Sequence, residues 1–419
     1  MEEPKALRGT RDLFAPEIAL WQKIEAIAQA HLTRARFTEV RTPILEATEL
    51  FARGIGEATD IVGKEMYSFV DRGDRPVTLR PEGTAGVARA AIEHQWCTPG
   101  TVHKLWYRGP MFRYERPQAG RQRQFHQLGI EVLGSDDPRA DAEAIALAYA
   151  LLQALGLPEL VVDLNSVGTP ADRQAYRQAL MDYFGAHREH LDDEARDRLA
   201  RNPLRLLDSK DPQIATLAAT APNILEYLGA ESKAHFAQVQ AYLETLAVPY
   251  RLNPRLVRGL DYYTRTAFEI QSQALGAQSA VCGGGRYDNL IAELGGPPTP
   301  AVGWAMGLER LVLLLGEPPA PPLLHAYVVA RGTLAAPFSL KVTQTLRAAG
   351  LTVDLDLTQA KFDKQLKRAA ASGALAAVVI GDDEAQRERV QLKWLQTGDR
   401  QEVTLAEGIS RLQAAACSP

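Results

Sequence analysis

Four short segments gather side chains suited to holding a polyphosphate beside a small polar ligand. The first, Thr78-Leu-Arg-Pro-Glu82-Gly83-Thr84, puts a carboxylate and a hydroxyl where a strand pattern gives way to a helix. Such groups are by default caps for the free amides of the helix. The second, Tyr107 to Glu131, reads as two alternating strands joined by a polar, basic loop, with Arg113 just before the loop. Period two sets Phe125, Gln127, Gly129 and Glu131 on one strand face. That face carries an aromatic platform, an amide and a carboxylate in a row. From His103 to Arg123 there are six Lys or Arg residues against one acid, Glu115. Guanidinium matches phosphate in bidentate geometry, so this density fits a polyphosphate.

The third segment, Leu256-Val-Arg258-Gly-Leu-Asp261-Tyr262-Tyr263-Thr264-Arg265, crowds two arginines, an acid and two tyrosines around one glycine. Either tyrosine could also be a core aromatic with its hydroxyl satisfied. The fourth runs from Cys282-Gly-Gly-Gly-Arg286-Tyr287-Asp288 to Val302-Gly-Trp-Ala-Met-Gly307-Leu-Glu309-Arg310. Its glycines form neither a phosphate-binding P-loop nor a dinucleotide fingerprint. Arg310 opens an apolar helix, where the alternative is an ordinary salt bridge to Glu309 or a neighbour.

Alternating helix and strand signals position these residues. Asp12 is a candidate cap for a helix with Ile18, Trp21, Ile24 and Ile27 at helical spacing. Phe37 to Leu45 alternates like a strand but contains Pro43, which cannot donate to a ladder and belongs at an edge, bend or interface. Met66–Val70, Val77–Arg80, Leu105–Tyr114 and Phe125–Val132 read as strands separated by turns, hence antiparallel. A helix follows from about Arg139 to Leu155. The stretch from about 168 to 248 is Ala-, Leu- and charge-rich and reads as a helical insertion in a sheet domain, with strand character returning at Tyr250–Leu252 and Thr266–Gln271. Gly316-Glu-Pro-Pro-Ala-Pro-Pro-Leu is a stiff linker. Beyond it, Ala326–Ala330, Thr352–Leu357 and Ala376–Ile380 are short apolar strands between helical segments, the pattern of a separate α/β domain.

Composition removes several classes. The chain is 46% hydrophobic and 23% charged, an ordinary globular balance. No stretch approaches the roughly 18 uninterrupted apolar residues of a membrane span, and Met-Glu-Glu-Pro-Lys lacks the basic start of a secretory signal. Three scattered cysteines, Cys97, Cys282 and Cys417, argue against a disulfide framework or paired-cysteine zinc site. The histidines make no legible metal site, and with no disulfide framework a reducing cytoplasm is the natural compartment. A formal charge of −4 does not exclude a nucleic-acid partner, because the local runs His103–Arg123 and Lys361–Arg368 are basic. A charge run can equally be a solvated helix face, and for the second run that alternative is slightly favoured.

The second and fourth segments resemble motifs 2 and 3 of class II aminoacyl-tRNA synthetases, with arginine at each expected place, Arg113 and Arg310. Phe37 to Leu45 is similar to motif 1, which builds the dimer interface of that class; Arg36 stands where a glycine is usual. The Leu-Val-Arg-Gly-Leu-Asp-Tyr-Tyr and Cys-Gly-Gly-Gly-Arg-Tyr-Asp runs, with Arg8-Gly-Thr-Arg-Asp12, resemble the signatures of the histidyl-tRNA synthetase family. The likeness covers essentially the whole chain. It implies an α+β fold: a class II antiparallel-sheet catalytic domain over 1–320 with the helical insertion at about 168–248, then an anticodon-binding α/β domain over 325–419.

The resemblance further implies histidine–tRNA ligation: ATP and histidine give histidyl-adenylate and pyrophosphate, and histidine passes to the 3′ end of its tRNA. Arg113 and Arg258 would be the catalytic cations at the α-phosphate. Arg113, Arg121, Phe125, Arg258 and Arg310 would bind ATP, with adenine between Phe125 and Arg310. Histidine would meet Glu82, Gly83, Thr84, Arg113, Gln127, Glu131, Arg258, Tyr262 and Tyr263, the imidazole resting on Glu131 and Tyr263. Arg116 and Gln118 would touch the tRNA acceptor end. Mg²⁺ would arrive with ATP rather than sit in a protein-held metal site, and the chain would work as a cytoplasmic homodimer without a membrane. A rival reading is a non-catalytic paralogue that senses histidine as a regulatory subunit of histidine biosynthesis. Such paralogues lack the C-terminal domain and usually lose the Arg-Gly-Leu-Asp-Tyr-Tyr run; this chain has both.

Overall fold

The computed structural model describes all residues except 1, 2, 57, 58, 60, 208, 210, 258, 259, 273–279, 359 and 417–419. It divides into two units, Met1–Pro318 and Pro319–Pro419, at the proline-rich stretch.

In the first unit the chain runs through β1 (Thr38–Glu39), β2 (Leu45–Ala47), β3 (Tyr67–Val70), β4 (Pro76–Leu79), β5 (His103–Phe112) and β6 (Gln124–Leu133). Next come β7 (Leu160–Ser166), β8 (Tyr250–Leu252), β9 (Thr264–Ser272), β10 (Ala280–Arg286) and β11 (Ala301–Gly307). Among the described residues, eight of these form one sheet in the order β1-β5-β6-β11-β10-β9-β7-β8, and β2, β4 and β3 form a small second sheet. Pairing is antiparallel except at the two edges, where β1 lies parallel to β5 and β8 parallel to β7. The β5–β6 ladder runs unbroken from His103↔Leu133 to Phe112↔Gln124, so the strand alternation read from sequence holds along its whole length.

The helix Ile18–Arg34 buries Leu20, Trp21, Ile24, Ala28 and Leu32, the i, i+3, i+4 stripe of an amphipathic helix. Each large side chain removed from water there contributes about 1.5–3 kcal/mol. Asp12 does not cap this helix. A turn at 15–17 intervenes, Glu17 takes the cap position, and its carboxylate receives Arg11 instead (2.8 Å). Pro43 breaks its strand as expected: β1 stops after two residues, and Pro43 lies exposed before β2. Arg36, at the place of the usual glycine, has φ 64°, so the arginine adopts the left-handed turn that glycine would take freely.

The region read as an insertion is helical but belongs to two cores. Tyr176, Leu180, Phe184, Leu206, Ile214 and Leu228 pack among themselves. The last helix, Ala230–Thr245, instead sends Phe236, Val239 and Leu243 into the main core against the helix Pro138–Ala154. As a packing unit, the insertion ends near Leu228.

The second unit holds β12 (Ala326–Ala330), β13 (Val353–Leu355), β14 (Ala376–Ile380), β15 (Arg389–Trp394) and β16 (Arg400–Thr404), in the order β13-β12-β14-β15-β16. The first three are parallel, joined by the helices Ala335–Ala348 and Phe362–Ala371; the last two add an antiparallel edge that the sequence reading did not foresee. Val328, Val342, Val378 and Leu392 form its core. Among the described residues, no helix is long and apolar enough to cross a membrane.

Candidate active site

A cleft of about 300 Å³ opens on one face of the large sheet. It is lined by Glu82, Thr84, Arg113, Arg121, Phe125, Gln127, Glu131, Tyr262, Tyr263 and Arg310, so residues from all four segments of the sequence meet there. Arg258 lies outside the described residues. Arg116 and Gln118 sit exposed on the loop between β5 and β6, outside the cleft.

One end of the cleft is cationic. Arg113 follows β5; its Nε donates to the Pro81 carbonyl at 2.9 Å, and its guanidinium lies 5.2 Å from the centre of the Phe125 ring. Arg121 pairs with Glu115 at 3.3 Å, and Arg113 approaches the same carboxylate at 3.8 Å. Arg310 opens the helix Leu308–Leu315 and donates to the Ala280 carbonyl of β10. The alternative reading, a salt bridge to Glu309, is not made: Glu309 accepts the His126 amide at 3.0 Å. Two other members of the basic run turn away, Lys104 to Glu143 and Arg108 to Glu25, each at 2.7 Å.

The other end is a buried polar pocket. Glu82 caps the helix Thr84–Glu93, accepting the amides of Thr84 at 2.7 Å and Ala85 at 2.8 Å. The cap reading holds for this carboxylate and not for the Thr84 hydroxyl, which donates to Glu131; the same carboxylate lines the cleft, and burial raises its pKa. Glu131, 1% exposed, accepts Thr84 Oγ1 at 2.7 Å and the Tyr287 hydroxyl. Burial, reinforced by Glu82 nearby, outweighs these two donors and pushes its carboxyl up to about 8. Gln127 has its buried Oε1 without a hydrogen-bond partner among the described residues. The rings of Tyr262 and Tyr263 lie 4.7 Å apart, and Tyr262 meets the edge of Tyr287 at 5.6 Å.

Close packing explains two glycines. A Cβ on Gly83 would stand 2.2 Å from the Tyr107 ring, and one on Gly303 would stand 1.9 Å from Glu131 Oε2. Gly83 thus shapes the pocket by letting Tyr107 in, and Gly303 makes the space that Glu131 fills.

Sequence reasoning missed Tyr287 as a site residue, although it stands in the quoted Cys-Gly-Gly-Gly-Arg-Tyr-Asp run. Its neighbours there have a different task. Arg286, fully buried, donates to Asp141, to the Ser135 carbonyl at 2.7 Å and to Asp288 at 3.1 Å, tying β10 to the helix Pro138–Ala154. The opening segment is also structural: the Gly9 carbonyl accepts Arg123 N at 2.8 Å and so steadies the return of the loop into β6.

An antiparallel sheet that presents an arginine-lined cleft on one face, with a cationic loop between two of its central strands, is the catalytic architecture of class II aminoacyl-tRNA synthetases. The family model described as histidyl-tRNA synthetase matches residues 9–311, and that of an anticodon binding domain matches 325–415. A histidine–tRNA ligase of Picosynechococcus is 60% identical, with 98% of this chain and 97% of the relative covered. One from Synechococcus elongatus is also 60% identical, covering 99% and 98%. The crystal structure of apo Staphylococcus aureus histidyl-tRNA synthetase superposes with TM-score 0.81 at 37% identity, over 98% of this chain and 100% of that one. The chain belongs to the histidyl-tRNA synthetase family, and its reaction is the ligation of histidine to tRNA.

Proposed function

We propose that the cleft is where histidine is activated, with its cationic end for ATP and its buried end for histidine. The observation that carries this is the pairing of a sealed carboxylate, Glu131, with Arg113, Arg121 and Arg310 in one continuous cleft. Arg113 neutralises the α-phosphate and the attacking carboxylate, Arg121 and Arg310 take the outer phosphates, and the purine lies on Phe125. By resemblance Arg258 joins Arg113 at the α-phosphate. Catalysis is then positioning and charge neutralisation at a phosphorus that gains negative charge.

Histidine is held at both ends. Glu82, Thr84 and Gln127 take the ammonium, and the unpartnered Gln127 oxygen is suited to it. Glu131 and Tyr263 take the imidazole, and Tyr262 packs beside Tyr263. Among the described residues, no three His, Cys, Asp or Glu side chains gather as a metal cluster. Glu115 and Glu269 line the cleft together with Arg310 and would be the protein groups offered to a magnesium ion brought by ATP. It would draw charge from the phosphates.

Arg116 and Gln118, exposed on the loop, meet the acceptor end of the tRNA. The 325–419 unit binds the anticodon arm; its presence and the intact cleft disfavour a purely regulatory role. Exposed Ile44 (42%) and Leu45 (49%) beside Pro43, with exposed Phe69 (49%) on the same small sheet, support a homodimer through this region. The three scattered cysteines, which offer no disulfide framework, support a reducing, cytoplasmic site of action. The test is a crystal structure with histidinol and ATP. The imidazole should lie within hydrogen-bond reach of Glu131, with the purine on Phe125; an imidazole bound elsewhere would overturn the assignment.

A further inference from the structure

The insertion meets the segment that carries Tyr262 and Tyr263 at three points. Val257 packs on the insertion core. Asp261 accepts Asn202 Nδ2 at 3.4 Å and Arg205 at 3.3 Å. Arg173, in the first turn of the helix Pro170–Ala186, donates from its guanidinium to the backbone carbonyl of Tyr263 at 2.7 Å. These residues line a second, smaller cleft of about 60 Å³ together with Tyr263.

The base from which Arg173 reaches is rigid. Its neighbour Asp172 accepts the amides of Thr169 and Gly229, each at 2.8 Å, and Ser232 Oγ at 2.6 Å. Beyond Tyr263 the chain is pinned again, with Arg265 N on the Gly168 carbonyl at 2.9 Å and Val167 N on the Arg265 carbonyl at 2.7 Å. The Tyr263 backbone is therefore gripped by a charged donor whose own helix cannot shift without breaking the Asp172 cluster. A charge-assisted bond to a carbonyl is among the stronger single contacts available to a main chain. A pocket that selects by hydrogen bonds also tolerates little displacement of its groups.

We propose that Arg173 is a positioning residue for histidine: the insertion, through Arg173 on the Tyr263 carbonyl, holds the Tyr263 hydroxyl in register with Glu131. This rests on the reading that Tyr263 faces the imidazole. The contact makes the insertion part of amino-acid selection, although among the described residues no insertion side chain lines the cleft.

The test uses the full chain and histidine-dependent ATP–pyrophosphate exchange, with melting temperatures alongside. Arg173→Ala should raise the KM for histidine about tenfold and leave the KM for ATP within about twofold. Arg173→Lys, which keeps a cationic donor, should restore part of the loss. In a Tyr263→Ala background, Arg173→Ala should add less than about twofold, because the group it positions is already gone. The proposal is overturned if both Arg173 variants keep the parent KM, if Arg173→Ala weakens both substrates alike as the melt falls, or if its effect multiplies in full on Tyr263→Ala. Tyr263→Ala raising the histidine KM while the Arg173 variants do nothing refutes the positioning role alone. Tyr263→Ala with an unchanged histidine KM refutes the pocket reading beneath it.

Discussion

Glu131 should give histidine binding a distinctive dependence on pH. Its carboxyl stands near 8 rather than the ordinary 4.5, chiefly because it is buried. Between those values the folded chain keeps a proton that the unfolded chain has released. This group's contribution to stability is thus full below 4.5 and is lost as pH rises through 8. A neutral imidazole, free above about pH 6.5, enters a protonated pocket, and the pair holds one proton wherever it resides. Above about 8 that proton must come from solvent, so the KM for histidine should climb up to about tenfold per pH unit. Below about 6.5 an imidazolium must shed a proton to pair, and the KM climbs again. The minimum therefore lies between the two. Glu131→Gln keeps the shape but cannot titrate. Losing a charge-assisted bond of about 1.5–3 kcal/mol should raise its histidine KM about 10- to 150-fold. The limb above pH 8 should flatten to what the amino group of histidine itself causes. Glu131→Ala is less clean, since it strands the hydroxyls of Thr84 and Tyr287, at about 1–3 kcal/mol each. The assay is pyrophosphate exchange from pH 5.5 to 9.5 with both KM values measured. A parent KM for histidine that stays flat from 7 to 9, or a Gln variant that weakens ATP equally, would refute the reasoning.

Other outcomes follow from the proposed roles. Arg258→Ala should lower kcat for adenylate formation by about 10²–10³ with little change in histidine KM; normal kcat with raised KM would make Arg258 a ground-state binder. Leu45→Glu, which charges the exposed apolar patch at Pro43, should turn a dimer into a monomer by light scattering at micromolar concentration, and a fully active parent monomer would contradict the interface. Removing 325–419 should spare histidine-dependent adenylation and strongly weaken aminoacylation of tRNA; equal loss of both would give that unit a folding role instead.

Much of the site was legible because it lies on a regular strand. Phe125, Gln127 and Glu131 share a face of β6 by simple alternation, and the ladder with β5 has no bulge to spoil it. β10 was not legible as a strand, since a Cys-Gly-Gly-Gly run has little strand propensity. The glycines are there for space: a Cβ on Gly284 would lie 2.2 Å from the Gly303 carbonyl. The Ala230–Thr245 helix looked like part of the insertion because composition reveals helicity but not which core a helix joins. Tyr287 was passed over because its partner Glu131 is far away in sequence, and only the sheet order β6-β11-β10 brings them together. Arg310 was offered a neighbour as partner, but at the start of a helix its side chain leans back toward β10 and meets a backbone carbonyl instead.

The central claim is that this cleft selects histidine by a buried carboxylate and hydroxyls. The most direct measurement is ATP–pyrophosphate exchange with each of the twenty amino acids in turn. A site built to pair with both imidazole nitrogens leaves its own groups buried and unpaired around any other side chain, a discrimination that reaches about 10⁴. Exchange should depend on histidine alone. Comparable exchange with a second amino acid, or none with any, would contradict the account.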